Sequence, residues 1–220
     1  MGTITRNAAN NFTTGGVILP AAINDASVAS LTELENVAAG GAMNLISEQT
    51  ASGSASIEFT SGIDSTYPIY RFEFINMHPS TTAQFEFQSN ASGGTGYNET
   101  MTTTVFEAVH NDNDSEALLR YKTDNDQAQG TSYQNLTIAT GGTDNDNSCS
   151  GTLEIFNPSS TTFVKHFIAT VQNYRNSDRS QINYVAGYFN TTNAIDEFSF
   201  RFSSGNIDSG TIKLYGISGS

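Results

Sequence analysis

Residues 200–217 read FRFSSGNIDSGTIKLYGI, and this stretch indicates the fold of the chain. Phenylalanine stands at every second position up to residue 202, and apolar residues alternate with polar ones again over residues 211–217. A period of two residues is typical of a β-strand with one buried face. Residues 203–210 between the two segments are rich in Ser, Gly, Asn and Asp, which favour turns. The stretch therefore predicts two antiparallel strands joined as a hairpin.

The same alternation recurs from residue 44 onward, in short segments separated by clusters of Gly, Asn, Asp, Ser and Pro. No segment shows a sustained helical period. The predicted strands lie at residues 55–59, 67–77, 83–88, 102–109, 117–122, 133–138, 151–156, 163–171, 182–189, 197–202 and 211–217. A set of this kind predicts an all-β domain over residues 44–220, built as a two-sheet antiparallel sandwich that is jelly-roll-like.

Residues 1–43 differ from the rest of the chain because they are rich in Ala, Asn, Thr and Gly and have little periodicity. Alone they could not bury enough apolar surface to fold. We expect an extended N-terminal arm that packs on its own domain or on a neighbouring subunit, the alternative being a disordered tail. The candidate interface residues of the arm are its larger apolar side chains, Phe12, Val17, Ile18 and Leu19.

The charge balance excludes several classes of partner. Nine Lys and Arg residues stand against 22 Asp and Glu, which gives a net charge of −13. Nucleic acid needs clustered basic residues, so we expect no nucleic-acid partner. No run approaches the roughly 20 apolar residues of a membrane span, and an anionic membrane surface would repel the chain. The first residues lack the apolar core of a secretory signal, so we expect synthesis in a cytoplasm and, if the protein leaves the cell, a route other than secretion, such as lysis.

Motifs that carry catalytic chemistry are missing from the sequence. The acidic residues Glu58, Glu73 and Glu86 each alternate with apolar residues, which is typical of the solvated face of a strand rather than of a glycosidase pair. His78 precedes Pro79, and we expect it on the surface or in a turn. The chain's one cysteine, Cys149, excludes an intramolecular disulfide. We expect a protein that is not an enzyme.

One segment has the spacing of a calcium loop. Asp112, Asp114 and Glu116 place hard oxygen ligands at every second position. The turn glycine and the distal bidentate glutamate of an EF-hand are missing, and Asp and Asn are also the common residues of β-turns. The segment indicates either an ordinary turn or a structural Ca²⁺ site, and we expect no other cofactor.

Five stretches carry a resemblance to a known family. They are SASIEFTSGIDSTY at 54–67, NMHP at 76–79, NPSSTT at 157–162, GYFN at 187–190 and SSGNIDSGTIKLYGI at 203–217. These stretches are similar to structural proteins encoded by tailed bacteriophages of marine bacteria, including cyanophages, most of which are described as virion, tail-fibre-like or capsid-associated proteins. The similarity covers roughly residues 44–217. It implies a component of the virion and brings no catalytic residue.

Within a virion, the chain lacks the repeats from which a long fibre shaft is built. We therefore expect a non-enzymatic capsid decoration or cement protein that binds the shell through its N-terminal arm and self-associates. Its partners would be other virion proteins, either the major capsid protein or tail proteins. Many copies would be needed to cover a lattice, so we expect a homo-oligomer, with a trimer favoured.

Two alternatives remain open at this point. The chain could be a tail fibre or short tail appendage component that recognises a receptor glycan. Its loops would then carry the receptor contacts, with Tyr97, Asp126 and Asp144 as candidates. It could also be a small free-standing enzyme or lectin.

Overall fold

A computed structural model describes residues 42–138, 143–175 and 178–218. These residues form twelve β-strands and no helix. The strands are β1 (Met43–Ser54), β2 (Ile57–Phe59), β3 (Ile69–Pro79), β4 (Phe85–Ala91), β5 (Met101–Asn111), β6 (Ala117–Tyr121), β7 (Gln134–Asn135), β8 (Cys149–Phe156), β9 (Lys165–Arg175), β10 (Arg179–Phe189), β11 (Ile195–Phe202) and β12 (Ile207–Ile217). The arm candidates Phe12, Val17, Ile18 and Leu19 lie outside the described residues, so the arm stays a prediction.

The strands form two sheets, as the sequence predicts. The large sheet has eight strands in the order β1-β12-β3-β8-β9-β10-β5-β6, and the small sheet has four in the order β2-β11-β4-β7. Every neighbouring pair is antiparallel. The expected all-β class and the two-sheet antiparallel sandwich are therefore confirmed.

Eight of the strands pair in the order of a jelly roll. Taken along the chain, the first pairs with the last (β1 with β12) and the second with the second last (β2 with β11). The third and fourth follow the same rule, because β3 pairs with β8 and β4 with β7. This is a long hairpin rolled into two sheets, which is the double Greek key of a jelly roll.

The other four strands extend the large sheet at one side. Strand β9 pairs with β8, β10 pairs with β9, β5 pairs with β10, and β6 forms the edge. In sequence they come as two pairs, β5 and β6 before β7, and β9 and β10 before β11. We call these four strands the extension. They double the width of one sheet while leaving the roll intact.

The core between the two sheets of the roll is dominated by phenylalanine. Phe200 lies at its centre, and its ring centroid is 4.9 Å from that of Phe72 and 5.2 Å from that of Phe74. Further ring contacts join Phe200 to Phe59, Phe85, Phe87 and Phe198. Edge-to-face and offset rings of this kind add to the free energy of burying apolar area. The alternating phenylalanines of the sequence are therefore the residues that hold the two sheets together.

The predicted C-terminal hairpin is wrong. Strand β11 pairs with β2 and β4 in the small sheet, whereas β12 pairs with β1 and β3 in the large sheet. The segment between them therefore crosses from one sheet to the other. Each of the two strands has one apolar side. Although the strands lie in opposite sheets, both apolar sides face the core between the sheets. The alternation specifies which side of a strand is buried but leaves its sheet undetermined.

The sequence did not predict β1 as a strand. Residues 43–54 read MNLISEQTASGS, in which apolar residues do not alternate cleanly, and the pairing with β12 is irregular between Leu45 and Ser47. Backbone hydrogen bonds to β12 hold this edge strand in the sheet, since its side chains show no strong apolar pattern. An edge strand contributes few side chains to the core, so its sequence carries a weak signal.

Candidate interaction surface

The outer side of the small sheet is covered by the chain's own loops. The Tyr133 ring lies under the guanidinium of Arg201, 3.7 Å from its carbon, and the Tyr133 hydroxyl is 3.1 Å from Oγ of Ser199. The side-chain amide of Gln88 donates to three loop carbonyls at 3.1 Å. Gln88 and Ser199 are consequently buried although they point away from the aromatic core.

The outer side of the large sheet is not covered in this way over the extension. Buried and accessible residues alternate along β5, β9 and β10. The residues that point outward from the four strands include Phe106, Leu119, Tyr121 and Ile168, whose exposed fractions are 41%, 70%, 50% and 52%. We call the outward side of the extension the open face.

No Asp, Glu, Lys or Arg side chain points outward from the strands of the open face. Along the four described strands of the extension, every outward position is apolar, aromatic, hydroxyl, amide or histidine, and none is Asp, Glu, Lys or Arg. The chain as a whole has a net charge of −13. An uncharged surface with large exposed apolar side chains, on a strongly acidic protein, is typical of a protein–protein contact.

Aromatic side chains form a ridge on this face. Phe106 stands opposite Tyr121 on β6 and opposite Tyr184 on β10. The rings of Phe106 and Tyr184 stack with centroids 4.6 Å apart and planes 14° from parallel. Leu119 stands two pairs further along, opposite Ala108, on the same side of the sheet. The ridge is fixed by sheet register, so it is present before any partner binds.

A shallow depression lies beside the ridge. It has a volume of about 350 Å³ and is lined by side chains of β5, β9 and β10 and by Phe156 at the end of β8. Its walls include His166, Ile168 and Tyr188, and Ala186 lies at the same place. The side chain of Ala186 is small, and the larger side chains around it enclose the space that it leaves. The depression is wide enough to accept one aromatic or branched aliphatic side chain.

The other half of the large sheet's outer side is charged and internally paired. Arg71 on β3 donates from Nε to Glu154 on β8 at 2.8 Å. Lys213 on β12 lies 3.1 Å from Glu48 on β1. Charged pairs of this kind stay in contact with water, so the outer side of β1, β12, β3 and β8 is a polar surface. The open face therefore ends where the extension meets the roll.

The structure disperses the candidate calcium ligands. Asp112, Asp114 and Glu116 lie in the turn between β5 and β6, but Glu116 pairs with Arg179 at 2.9 Å and Asp114 with His110 at 3.0 Å. Among the described residues, no three His, Cys, Asp or Glu side chains form a group that could hold a metal ion. The hydrogen bonds of this segment are those of a turn.

The three candidate receptor residues have separate surroundings. Tyr97 covers the small sheet, where its backbone N–H donates to Asn90 at 2.7 Å and burial raises the pKa of its hydroxyl. Asp126 accepts from the hydroxyl of Tyr121 at 2.6 Å. The carbonyl oxygen of Asp144 is 3.1 Å from Nε2 of His78. In these contacts each of the three residues has a different local partner, and their role in receptor binding stays a prediction.

The three carboxylates considered for glycoside hydrolysis are also separate. Glu58 is on β2 and Glu73 on β3, in different sheets. Glu86 on β4 accepts from Nε of Arg201 at 2.7 Å, and its burial raises the pKa of the carboxyl group although the guanidinium lowers it. Paired in this way, Glu86 has a structural partner rather than a facing carboxylate.

No family model, curated protein or solved structure matches the chain. Within the described ranges there is also no helix of the length and apolar character that a membrane crossing requires. No local sequence pattern identified the open face. Its signal was present in the uncharged alternate positions of residues 102–110 and 182–188, but the alignment of these segments side by side appears only in the fold.

Proposed function

We propose that this chain is a non-enzymatic structural protein of a bacteriophage particle, a capsid decoration or cement protein. In this proposal the jelly roll forms the visible knob on the particle, the open face joins copies of the chain, and residues 1–43 attach the assembly to the shell. The partners are the major capsid protein and further copies of the chain. The sequence resemblance to marine phage virion proteins supports the assignment to a phage particle. The uncharged open face supports assembly through contacts between copies of the chain.

The observation that carries the proposal is the uncharged open face on a chain of net charge −13. Two copies of an acidic protein repel each other through most of their surfaces. Contact through the open face reduces this repulsion, because no outward position on its four strands is acidic. A second copy of the chain is therefore the occupant that fits the face.

The size of the face suits such a contact. Three strands of eleven residues and one of five, about 4.8 Å apart and about 3.3 Å per residue, cover roughly 600 Å² in projection. This projected area is somewhat below the ~800 Å² that each partner contributes to a standard specific interface. The ridge at Phe106 and the depression beside it supply complementary shapes within that area.

The fold supports the proposal by analogy. Jelly rolls occur in viral capsid domains, and also in lectins and cupins, so the architecture alone does not select one function. The outer side of the small sheet is covered by loops, and its polar side chains Gln88 and Ser199 are already hydrogen-bonded to loop residues. This side therefore has a structural role. The open face is therefore the surface that remains for a partner.

Purified virions test the proposal. We would measure the copy number of the chain by quantitative mass spectrometry and locate it in a cryo-EM map of the same particles. Hundreds of copies distributed over the head are expected. A few copies to a few tens at the tail or portal would overturn the decoration role and assign the chain to a tail appendage.

A truncation separates attachment from self-association. Because β1 begins at Met43, removing residues 1–41 leaves every described strand intact. We expect the truncated chain to fold and to form the same oligomer, but to lose binding to stripped particles. A truncated chain that still binds the particles would contradict the role of the arm.

A further inference from the structure

On the open face a row of large side chains lies beside a row of small ones. Cross-strand pairing places Tyr184 on β10 opposite Phe106 on β5, and the two rings stack. Two residues away along the same strands, Ala186 stands opposite Thr104. Side chains two residues apart point to the same side of a sheet, and such rows lie about 7 Å apart. The face therefore presents rings directly beside a strip of low relief.

The row of small side chains belongs to the depression. Thr104 and Ala186 line it, together with Ile168 and Tyr188. The hydroxyl of Thr104 donates to the carbonyl of Ala186 at 3.4 Å. Covering this row with an apolar ring therefore leaves the hydroxyl paired, which removes the main cost of excluding water from it.

We propose that two copies of the chain meet open face to open face about a two-fold axis, with Tyr184 of each copy packed against Ala186 of the other. This inference rests on the proposed function, which makes a second copy the occupant of the open face. The axis lies in the plane of contact, between the two rows, and runs across the strands. Rotation about it brings the large row of one copy over the small row of its partner, at two equivalent places.

The direction of the axis follows from the sizes of the side chains. An axis across the strands keeps β5 over β5 and β10 over β10, so Phe106 lies over Thr104 of the partner as Tyr184 lies over Ala186. An axis running along β10 would instead place Tyr184 on Tyr184 of the partner and Ala186 on Ala186. Protein contacts reach close packing when large side chains fill the space above small ones. The first axis is the one that this face fits.

The area of the contact indicates a reversible dimer. Each copy offers roughly 600 Å² in projection, so a pair buries roughly 1,200 Å², at the lower end for specific interfaces. A dimer differs from the trimer that the sequence favours, because a ring of three needs two different contact surfaces on each copy. A weak dimer suits a particle surface, where attachment to the shell holds neighbouring copies at high effective concentration.

Complementary variants of the full chain test the pairing. Ala186→Phe fills the depression, and Tyr184→Ala removes the ring that packs there, so each variant alone should dimerise at least about tenfold more weakly than the wild type. An equimolar mixture of the two should form a heterodimer with an affinity close to that of the wild type. In that heterodimer the filled depression meets the missing ring, and the second contact is unchanged. Repacking within one chain cannot produce this recovery.

Native mass spectrometry separates the heterodimer from the two homodimers, and light scattering over a range of concentrations gives the affinities. Both positions lie on the outer side of the sheet, so the variants keep the core intact. Tyr184→Phe is the matched control, since it keeps the ring and removes only the hydroxyl, and it should dimerise like the wild type.

The outcomes separate this inference from the proposed function. A mixture no more associated than either variant alone, with a wild-type oligomer that Phe106→Lys dissociates, would overturn the pairing of Tyr184 with Ala186 but keep the open face as the contact. A wild-type trimer would also overturn the two-fold pair. A wild type that stays monomeric at every concentration, free and on the particle, would overturn self-association itself.

Discussion

Phe106 and Tyr184 stack face to face on the outward side of the large sheet, with ring centroids 4.6 Å apart. Neither ring faces the core, and 41% of Phe106 is exposed. A hydrophobic stack on the outside of a sheet costs solubility unless another surface covers it. The pair therefore marks the centre of the surface that we assign to self-association.

Replacing Phe106 by Lys should dissociate the oligomer. The substitution places a cation in the apolar interface and removes the stack, which we expect to weaken association by at least 2 kcal/mol, or about 30-fold in Kd. Light scattering on a size-exclusion column over a range of concentrations measures the change. The monomer should stay folded, because the stack itself contributes only about 0.5–1.5 kcal/mol.

Phe163→Lys serves as the control for this experiment. Phe163 is 69% exposed, but it lies in the loop before β9 and not on the four strands of the extension. Its substitution should leave the oligomer unchanged. An oligomer that resists Phe106→Lys but dissociates in Phe163→Lys would place the interface at the loop instead.

Replacing Phe200 by Ala should cost about 3–5 kcal/mol of the free energy of unfolding, because a large cavity opens among rings from both sheets. This is a large part of the ~5–15 kcal/mol that typically stabilises a domain. Urea unfolding measures the loss, and Phe200→Leu provides a smaller, graded change if the alanine variant does not fold. A loss below about 1 kcal/mol for the alanine variant would show that the two sheets are held together elsewhere.

Replacing Gly216 by Ala should destabilise the chain because of Tyr67. A methyl group at position 216 would clash with Cδ2 of the Tyr67 ring, which packs over the glycine. We expect a loss of about 1–3 kcal/mol, typical of overpacking. In a Tyr67→Ala background the same substitution should be nearly neutral. A double-mutant cycle measures this coupling, and additive losses would mean that the strain comes from the backbone rather than from the ring.

Lys165 gives the chain a predictable dependence on alkaline pH. Its side chain is buried, Nζ donates to the carbonyls of Phe163 at 2.8 Å and Thr191 at 3.3 Å, and burial lowers the pKa of the amine. Between the lowered pKa of the folded chain and about 10.5 in the unfolded chain, the unfolded chain binds more protons. The contribution of Lys165 to the free energy of unfolding therefore rises with pH across that window.

Comparison with Lys165→Met isolates this effect. The difference in free energy of unfolding, wild type minus variant, should increase as pH rises toward 10.5, by about 1.4 kcal/mol for each unit by which folding lowers the pKa. Urea unfolding at several pH values measures it. Parallel pH profiles for the wild type and Lys165→Met would contradict this prediction, because they would show that the Lys165 amine has the same pKa in the folded and the unfolded chain.

Much of the fold could be predicted from the residues. The alternation of Phe85 and Phe87, or of Phe198 and Phe200, correctly identifies the buried side of each strand, because burial in a sheet depends on a two-residue period that the sequence displays directly. The all-β sandwich follows from the number of such segments. The edge strand β1 was missed, since its pairing with β12 rests on backbone hydrogen bonds.

The candidate sites depended on relations that no local pattern contains. His78, which local sequence places on the surface or in a turn, is instead buried, because the strand that carries it is interrupted by a bulge at Asn76. Phe106, Tyr121 and Tyr184 come from three strands that the register alone makes neighbours. Local spacing pointed instead to Asp112, Asp114 and Glu116, of which the fold pairs Asp114 with His110 and Glu116 with Arg179.

By itself the sequence determined which side of most strands faces the core and that the chain is strongly acidic, because hydrophobic period and charge are local properties. The tertiary structure decided which sheet each strand joins, as the separation of β11 from β12 shows. It also decided that the uncharged outward positions of the extension form one continuous face. Strand pairing joins residues far apart along the chain through backbone groups that are chemically the same at nearly every residue, so the final arrangement is selected by the packing of the whole core.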